Sequence, residues 1–85
     1  MDKLGGRSRR SDVEEEDRRV RTLRRLVDFS LAYIAQSSIP LEEARAVVEG
    51  VKRYALRLFP NKEETFDLIY LPRFRRLLQE KYQLH

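Results

Sequence analysis

The chain has 85 residues, of which 41% are hydrophobic and 38% are charged, so we expect one small domain near the lower size limit for a self-sufficient core. It contains no cysteine, which excludes disulfides, thiolate metal sites and thiol nucleophiles. No stretch approaches the ~20 apolar residues of a membrane span, and the N-terminus lacks the apolar segment of a secretory signal. These features predict a cytoplasmic protein.

The formal net charge of +4 is unevenly distributed. Residues 1–10 carry four basic side chains and one acidic one, a charge of +3, and residues 11–85 carry the remaining 14 basic and 13 acidic side chains. Because the first segment also contains two glycines and few apolar residues, it is predicted to be a disordered basic tail. Residues 11–85 are predicted to form a single helical domain.

The first predicted helix spans about residues 11–37. Ser11 and Glu14 have the spacing of a capping box, and further acidic residues follow in the first turns, where the helix dipole favours them. Apolar residues then recur every seven positions. Together with one intervening leucine they form a candidate seam for self-association: Val13, Val20, Leu23, Val27 and Ile34.

A second apolar face appears only in the later half of this helix, formed by Leu26, Phe29 and Tyr33. That half is therefore expected to be covered on both sides. A first helix of ~26 residues is ~39 Å long, against ~29 Å for a second helix of ~19 residues. The surface that the second helix leaves uncovered must meet the third helix, another copy of the chain or a different protein.

The second predicted helix spans about residues 40–59 and begins with Pro40, which is tolerated in a first turn. Its apolar residues alternate steps of three and four, as in packed helices: Leu41, Ala44, Val48, Val51, Ala55 and Leu58. Gly50 lies outside this seam, where it should cost up to ~1 kcal/mol relative to alanine. The sequence offers no packing reason for it.

The third predicted helix spans about residues 61–83. Pro72 removes one backbone donor and clashes with the carbonyl four residues earlier, so this helix is predicted to be kinked at Pro72, with the kink or break near Leu68–Leu71. The chain as a whole is predicted to be all-α, a small bundle of three main helices that oligomerisation completes.

Five arginines between residues 17 and 25 form the first candidate site. One interpretation is that three arginines of the tail and three of this stretch contact phosphates: Arg7, Arg9, Arg10, Arg18, Arg21 and Arg25. However, four acid–arginine pairs spaced i,i+4 partly neutralise the stripe: Glu14–Arg18, Glu15–Arg19, Asp17–Arg21 and Arg24–Asp28. Recurrent base-stacking aromatic residues are also missing. A salt-bridged helix surface is preferred, and nucleic-acid binding is the alternative.

The basic amphipathic segment 71–82 is the second candidate site. Its candidate partner patch consists of Arg73, Phe74, Arg76 and Leu77. Such segments bind partner grooves or membrane surfaces. However, all three predicted helices begin acidic and turn basic, which the helix dipole alone explains. The segment is therefore interpreted first as the end of a kinked helix, and partner-groove or membrane-surface binding is a weaker alternative.

Catalytic and metal sites are not expected. The single histidine, His85, is terminal, so neither a Ser/His/Asp set nor an Exx-His metal motif is present. A glycine-rich phosphate loop is also missing. We therefore expect a non-enzymatic protein without a cofactor: a helical protein–protein interaction module that self-associates, with a homodimer favoured.

Overall fold

The computed structural model describes the backbone of residues 2–83 and the side chains of residues 12–83. Its helices are α1 (Asp2–Gln36), α2 (Leu41–Leu58), α3 (Glu63–Ile69) and α4 (Leu71–Tyr82). Residues 2–83 contain no strand. The all-α prediction is confirmed, whereas the prediction of three main helices is not.

The predicted third helix is in fact two helices that meet at Tyr70. Because Pro72 has no N–H, it cannot donate to the carbonyl of the residue four positions earlier. The N–H of Tyr70 closes α3 on the carbonyl of Phe66 at 2.9 Å, and the N–H of Arg73 donates to the carbonyl of Tyr70 at 3.1 Å. The break at Tyr70 lies within the predicted range Leu68–Leu71, whereas the prediction of a single kinked third helix is not confirmed.

The ends of α1 and α2 agree with the predicted ends in three of four places. α1 ends at Gln36 and α2 spans Leu41–Leu58, each within one residue of the prediction. α1 begins at Asp2 instead of near residue 11; no proline interrupts residues 2–11, although Gly5 and Gly6 are poor helix formers. The side chains of residues 1–10 lie outside the described part, and the predicted disorder of that tail stays a prediction.

The core lies between α1, α2 and α4, and α3 contributes one aromatic side chain to it. Its largest fully buried members are Phe74, Ile34 and Val27. Among the side chains of residues 12–83, the buried apolar ones are Leu23, Val27, Ile34, Ala44, Val48, Val51, Ala55, Phe66, Phe74 and Leu78. The apolar side of α4 is therefore used within the chain, against α1 and α2.

The end of α4 holds the end of α1. Lys81 donates from Nζ to the backbone carbonyls of Ile34 and Ser37, and the Tyr82 hydroxyl donates to the carbonyl of Ile39 at 2.7 Å. α1 has no basic residue in its own last turn, so Lys81 supplies the cation that the negative end of the helix dipole favours. This contact fixes α4 across the α1–α2 connection.

The molecule is elongated, with extents of 59 × 22 × 15 Å. Its radius of gyration is 16.5 Å, whereas a compact chain of this length has about 12 Å. α1 causes the difference, because its 35 residues span ~52 Å and the 18 residues of α2 span ~27 Å. The beginning of α1 therefore extends past the other helices, and residues 12–19 are exposed.

Candidate functional site

Burial divides the candidate seam of α1 into two parts. Leu23, Val27 and Ile34 belong to the core, so they are not available to another chain. Val20 is half-buried, and Val13 is 58% exposed. Self-association through this seam is therefore limited to its N-terminal end.

A cleft, here called the α1–α3 cleft, opens beside this end of the seam. Its inner part has a volume of about 180 Å³, and most of its lining is apolar: Val20, Leu23, Ala55, Phe59, Phe66 and Tyr70. Its outer part, about 420 Å³, reaches the α2–α3 turn and has polar and charged residues in its lining beside Leu58, Phe59 and Pro60: Asp12, Glu15, Glu16, Arg19, Asn61 and Lys62. The cleft is thus an apolar depression with a charged mouth.

The charges of α1 are separated along the helix. Five acidic residues lie within residues 12–17, and five arginines lie within residues 18–25. Among the described side chains, one of the four predicted i,i+4 pairs forms an ion pair, between Glu15 and Arg19 at 2.7 Å. Most charges of the two blocks are therefore available to a partner.

The candidate partner patch of α4 is not one exposed surface. Phe74 is 0% exposed and Leu77 is half-buried, whereas Arg73 and Arg76 are exposed. The reason is that α4 turns its apolar side toward α1 and α2, so Phe74 packs in the core. Arg73 approaches Asp28 of α1 at 3.9 Å. Segment 71–82 consequently presents charges without its central aromatic ring.

Lys52 joins α2 to α3 by two ion pairs. Its Nζ lies 3.0 Å from Oε2 of Glu63 and 3.0 Å from Oδ1 of Asp67. Oδ1 of Asp67 is buried and accepts no hydrogen bond from the described residues, so its contact with the ammonium group is electrostatic. The contact with Glu63, followed by that with Asp67, raises the pKa of Lys52. This cluster is structural, because it holds α3 against α2.

The second apolar face of α1 combines with α2 into another depression, here called the α1–α2 groove. The groove has a volume of about 360 Å³ and is lined by Thr22, Leu26, Val47, Gly50, Val51 and Tyr54. Tyr54 is 40% exposed. Beside the groove, Phe29 is 72% exposed and Tyr33 is 41% exposed. None of the described helices covers this side of the α1–α2 pair.

Sequence reasoning identified Leu26, one of the two α1 residues that line this groove, and noted Gly50 separately. It missed that α2 contributes Val47 and Tyr54 beside Gly50. The spacing of Val47, Gly50 and Tyr54, three and then four residues apart, is the signal by which this second face of α2 was recognisable.

The candidate phosphate contacts are only partly described. Arg18, Arg21 and Arg25 are exposed, and at 100° per residue they lie within about 60° of one another around α1. The side chains of Arg7, Arg9 and Arg10 lie outside the described residues. The three described arginines thus share one side of the helix, next to the acidic block.

Two further features are absent from the described part of the chain. The side chains of residues 12–83 include no group of three or more histidine, cysteine or acidic residues suited to a metal ion. None of the described helices is long and apolar enough to cross a membrane. Comparisons of the chain with models of known families, with curated proteins and with solved structures found no match. Its function is therefore inferred from the surfaces described above.

Proposed function

We propose that this chain is a non-enzymatic, helical protein–protein interaction module that forms a homodimer through the exposed beginning of α1. One observation carries the proposal: the apolar repeat of α1 continues past the part that the other helices cover. Val13 is 58% exposed, although it occupies the same stripe as the buried Val27. An apolar stripe on a projecting helix is stabilised when a second helix covers it.

The charge blocks favour an antiparallel arrangement of the two copies. If two α1 helices cross near Arg18, Glu14 and Asp17 of one copy lie beside Arg21 and Arg24 of the other. A two-fold axis makes both contacts equivalent, as expected for a closed dimer. Opposite charges at the rim of the interface then determine the register and direction of the helices.

The α1–α3 cleft provides a place for the exposed valine in this arrangement. With the crossing near Arg18, Val13 of one copy lies level with Leu23 of the other, at the inner part of the cleft. That part is apolar and about 180 Å³ in volume, enough to receive a valine side chain. Val13 and the cleft that receives it thus belong to the same surface of each copy, as an isologous interface requires.

Light scattering after size-exclusion chromatography tests the proposal. Val13→Glu should convert a dimer into a monomer, because it places a charge in an apolar contact without disturbing the core. Ala35→Glu is the matched control, because Ala35 is also exposed on α1 but lies outside the seam. A monomeric wild type, or an unchanged mass for Val13→Glu, would contradict the proposal. Circular dichroism verifies that both variants remain helical.

A charge exchange tests the antiparallel pairing separately. Glu14→Arg/Asp17→Arg reduces the charge of the acidic block from −5 to −1, and Arg21→Glu/Arg24→Glu reduces that of the arginine block from +5 to +1. Each variant alone should associate more weakly than the wild type, and their mixture should form a heterodimer. If the mixture fails to associate while Val13→Glu is monomeric, the antiparallel register is contradicted. The apolar contact of Val13 then remains supported.

A further inference from the structure

Gly50 has no structural requirement for being a glycine. It lies inside α2, where glycine is among the least favourable residues, and it does not have a positive φ. A Cβ atom built on Gly50 would find nothing within 4 Å, so no neighbouring helix needs the space. The missing side chain instead leaves an opening in the floor of the α1–α2 groove.

The surroundings of this opening suit an apolar side chain from outside. Leu26 and Val47 are half-buried on its two sides, and Val51 lies beneath them in the core. Tyr54 and the highly exposed Phe29 extend the apolar surface along both helices. A groove between two helices with a row of apolar positions is the kind of surface that an amphipathic helix recognises.

The charges next to the groove are mainly basic. Arg18 and Arg25 lie four residues before and three residues after Thr22, on the same side of α1. Arg57 lies three residues after Tyr54 on α2. None of these three arginines has a carboxylate within 4.0 Å among the described side chains. Of the acidic residues on this side, Glu15 is paired with Arg19, and Glu43 lies near the opposite end of α2.

We propose that the α1–α2 groove binds an acidic amphipathic helix of another protein, which inserts a large apolar side chain over Gly50. The glycine provides the space, Leu26, Val47 and Tyr54 form the walls, and the arginines attract acidic residues that flank the apolar row of the ligand. This site is separate from the dimer contact, because Val13 and the α1–α3 cleft do not line it.

Fluorescence anisotropy with a synthetic probe tests the apolar part of the proposal. The probe is a labelled helical peptide of about 18 residues, with leucine and phenylalanine at i, i+4, i+7 and i+11 and glutamate beside them. Gly50→Leu should weaken binding by at least about tenfold, because its side chain fills the opening. It should also raise the thermal unfolding midpoint, because leucine is a better helix former than glycine. Ala35→Leu, on another side of α1, should leave binding unchanged.

The charge requirement has its own controls. A peptide with lysine in place of every glutamate should bind at least about tenfold more weakly. Arg18→Glu/Arg25→Glu should reduce or reverse this preference, whereas Arg45→Glu/Arg75→Glu, a matched pair of exposed arginines outside the groove and the dimer contact, should not. Val13→Glu should bind the acidic peptide as the wild type does. A failure of the dimer proposal is then distinguishable from a failure of the groove proposal.

Four results would overturn the proposal. The first is no binding of the acidic peptide up to about 100 µM, and the second is equal binding by the wild type and Gly50→Leu. The third is a lower mass of Gly50→Leu in light scattering, which would assign the groove to a second copy of the chain. The fourth is binding of a DNA duplex through Arg18 and Arg25 without binding of the peptide, which would assign this side to nucleic acid.

Discussion

The earlier and later parts of α1 have the same apolar repeat in different surroundings. Val27 and Ile34 in the later part are fully buried, whereas Val13 in the earlier part is exposed. The difference arises from length, because α1 has 35 residues and α2 has 18. Periodicity thus identifies the apolar side of a helix, and the length and direction of the neighbouring helices determine how much of that side is buried.

The largest expected effect compares one buried and one exposed member of this repeat. Ile34→Ala should lower the free energy of unfolding by about 2–5 kcal/mol, because it leaves a cavity in the core. Val13→Ala should change the free energy of unfolding of the monomer by less than about 0.5 kcal/mol. Urea denaturation at several protein concentrations measures both. The loss for Ile34→Ala should not depend on concentration, and a similar loss for Val13→Ala in the dilute monomer would contradict the comparison.

A smaller effect is expected at the end of α1. Lys81→Met should lower the free energy of unfolding by about 1 kcal/mol, because the carbonyls of Ile34 and Ser37 lose a charged donor. Amide hydrogen exchange should become faster in the last turn of α1 and not at residues 12–22. Arg75→Met, an exposed change on the same helix, serves as the control. Equal rates of amide hydrogen exchange in the last turn of α1 in both variants would mean that Lys81 does not stabilise this helix end.

The smallest effect concerns the ion pairs of Lys52 and is expected to depend on pH. Because the pKa of Lys52 is raised in the folded chain, its stabilising contribution is complete below the ordinary pKa of lysine and is lost as the pH rises through the raised pKa. Lys52→Gln should therefore melt at a slightly lower temperature than the wild type, by a constant difference between about pH 7 and 9. The difference should shrink only in more alkaline solution. If the difference in melting temperature already shrinks between about pH 7 and 9, the ion pairs of Lys52 are not its cause.

Helix content and the position of the apolar stripes were predictable because both depend on local information. The spacing of Leu23, Val27 and Ile34 marks a buried stripe, and Pro60 and Pro72 mark interruptions. The interruption before Pro72 lies at Tyr70, within the predicted range, but it separates two helices, α3 and α4, whereas a single kinked helix was expected. The geometry at a proline depends on how the two segments pack, which a pattern of residue types does not contain.

The candidate surfaces were less predictable than the helices. Phe74 and Arg73 are adjacent in an amphipathic pattern, but packing places Phe74 in the core and leaves Arg73 exposed. Conversely, Leu26 and Gly50 are distant in sequence and line one groove. Neither outcome is visible in a single helix, because exposure depends on which helices are neighbours.

The sequence by itself determined the all-α class, the apolar side of the helices and the separation of charge along α1, because turns of a helix bring residues three and four positions apart together. Only the tertiary structure decided that Val13 is exposed, that Lys81 holds the end of α1 and that Gly50 opens into a groove. These features depend on contacts between residues far apart in the chain. The helix lengths and crossing positions that create those contacts result from the packing of all four helices at once.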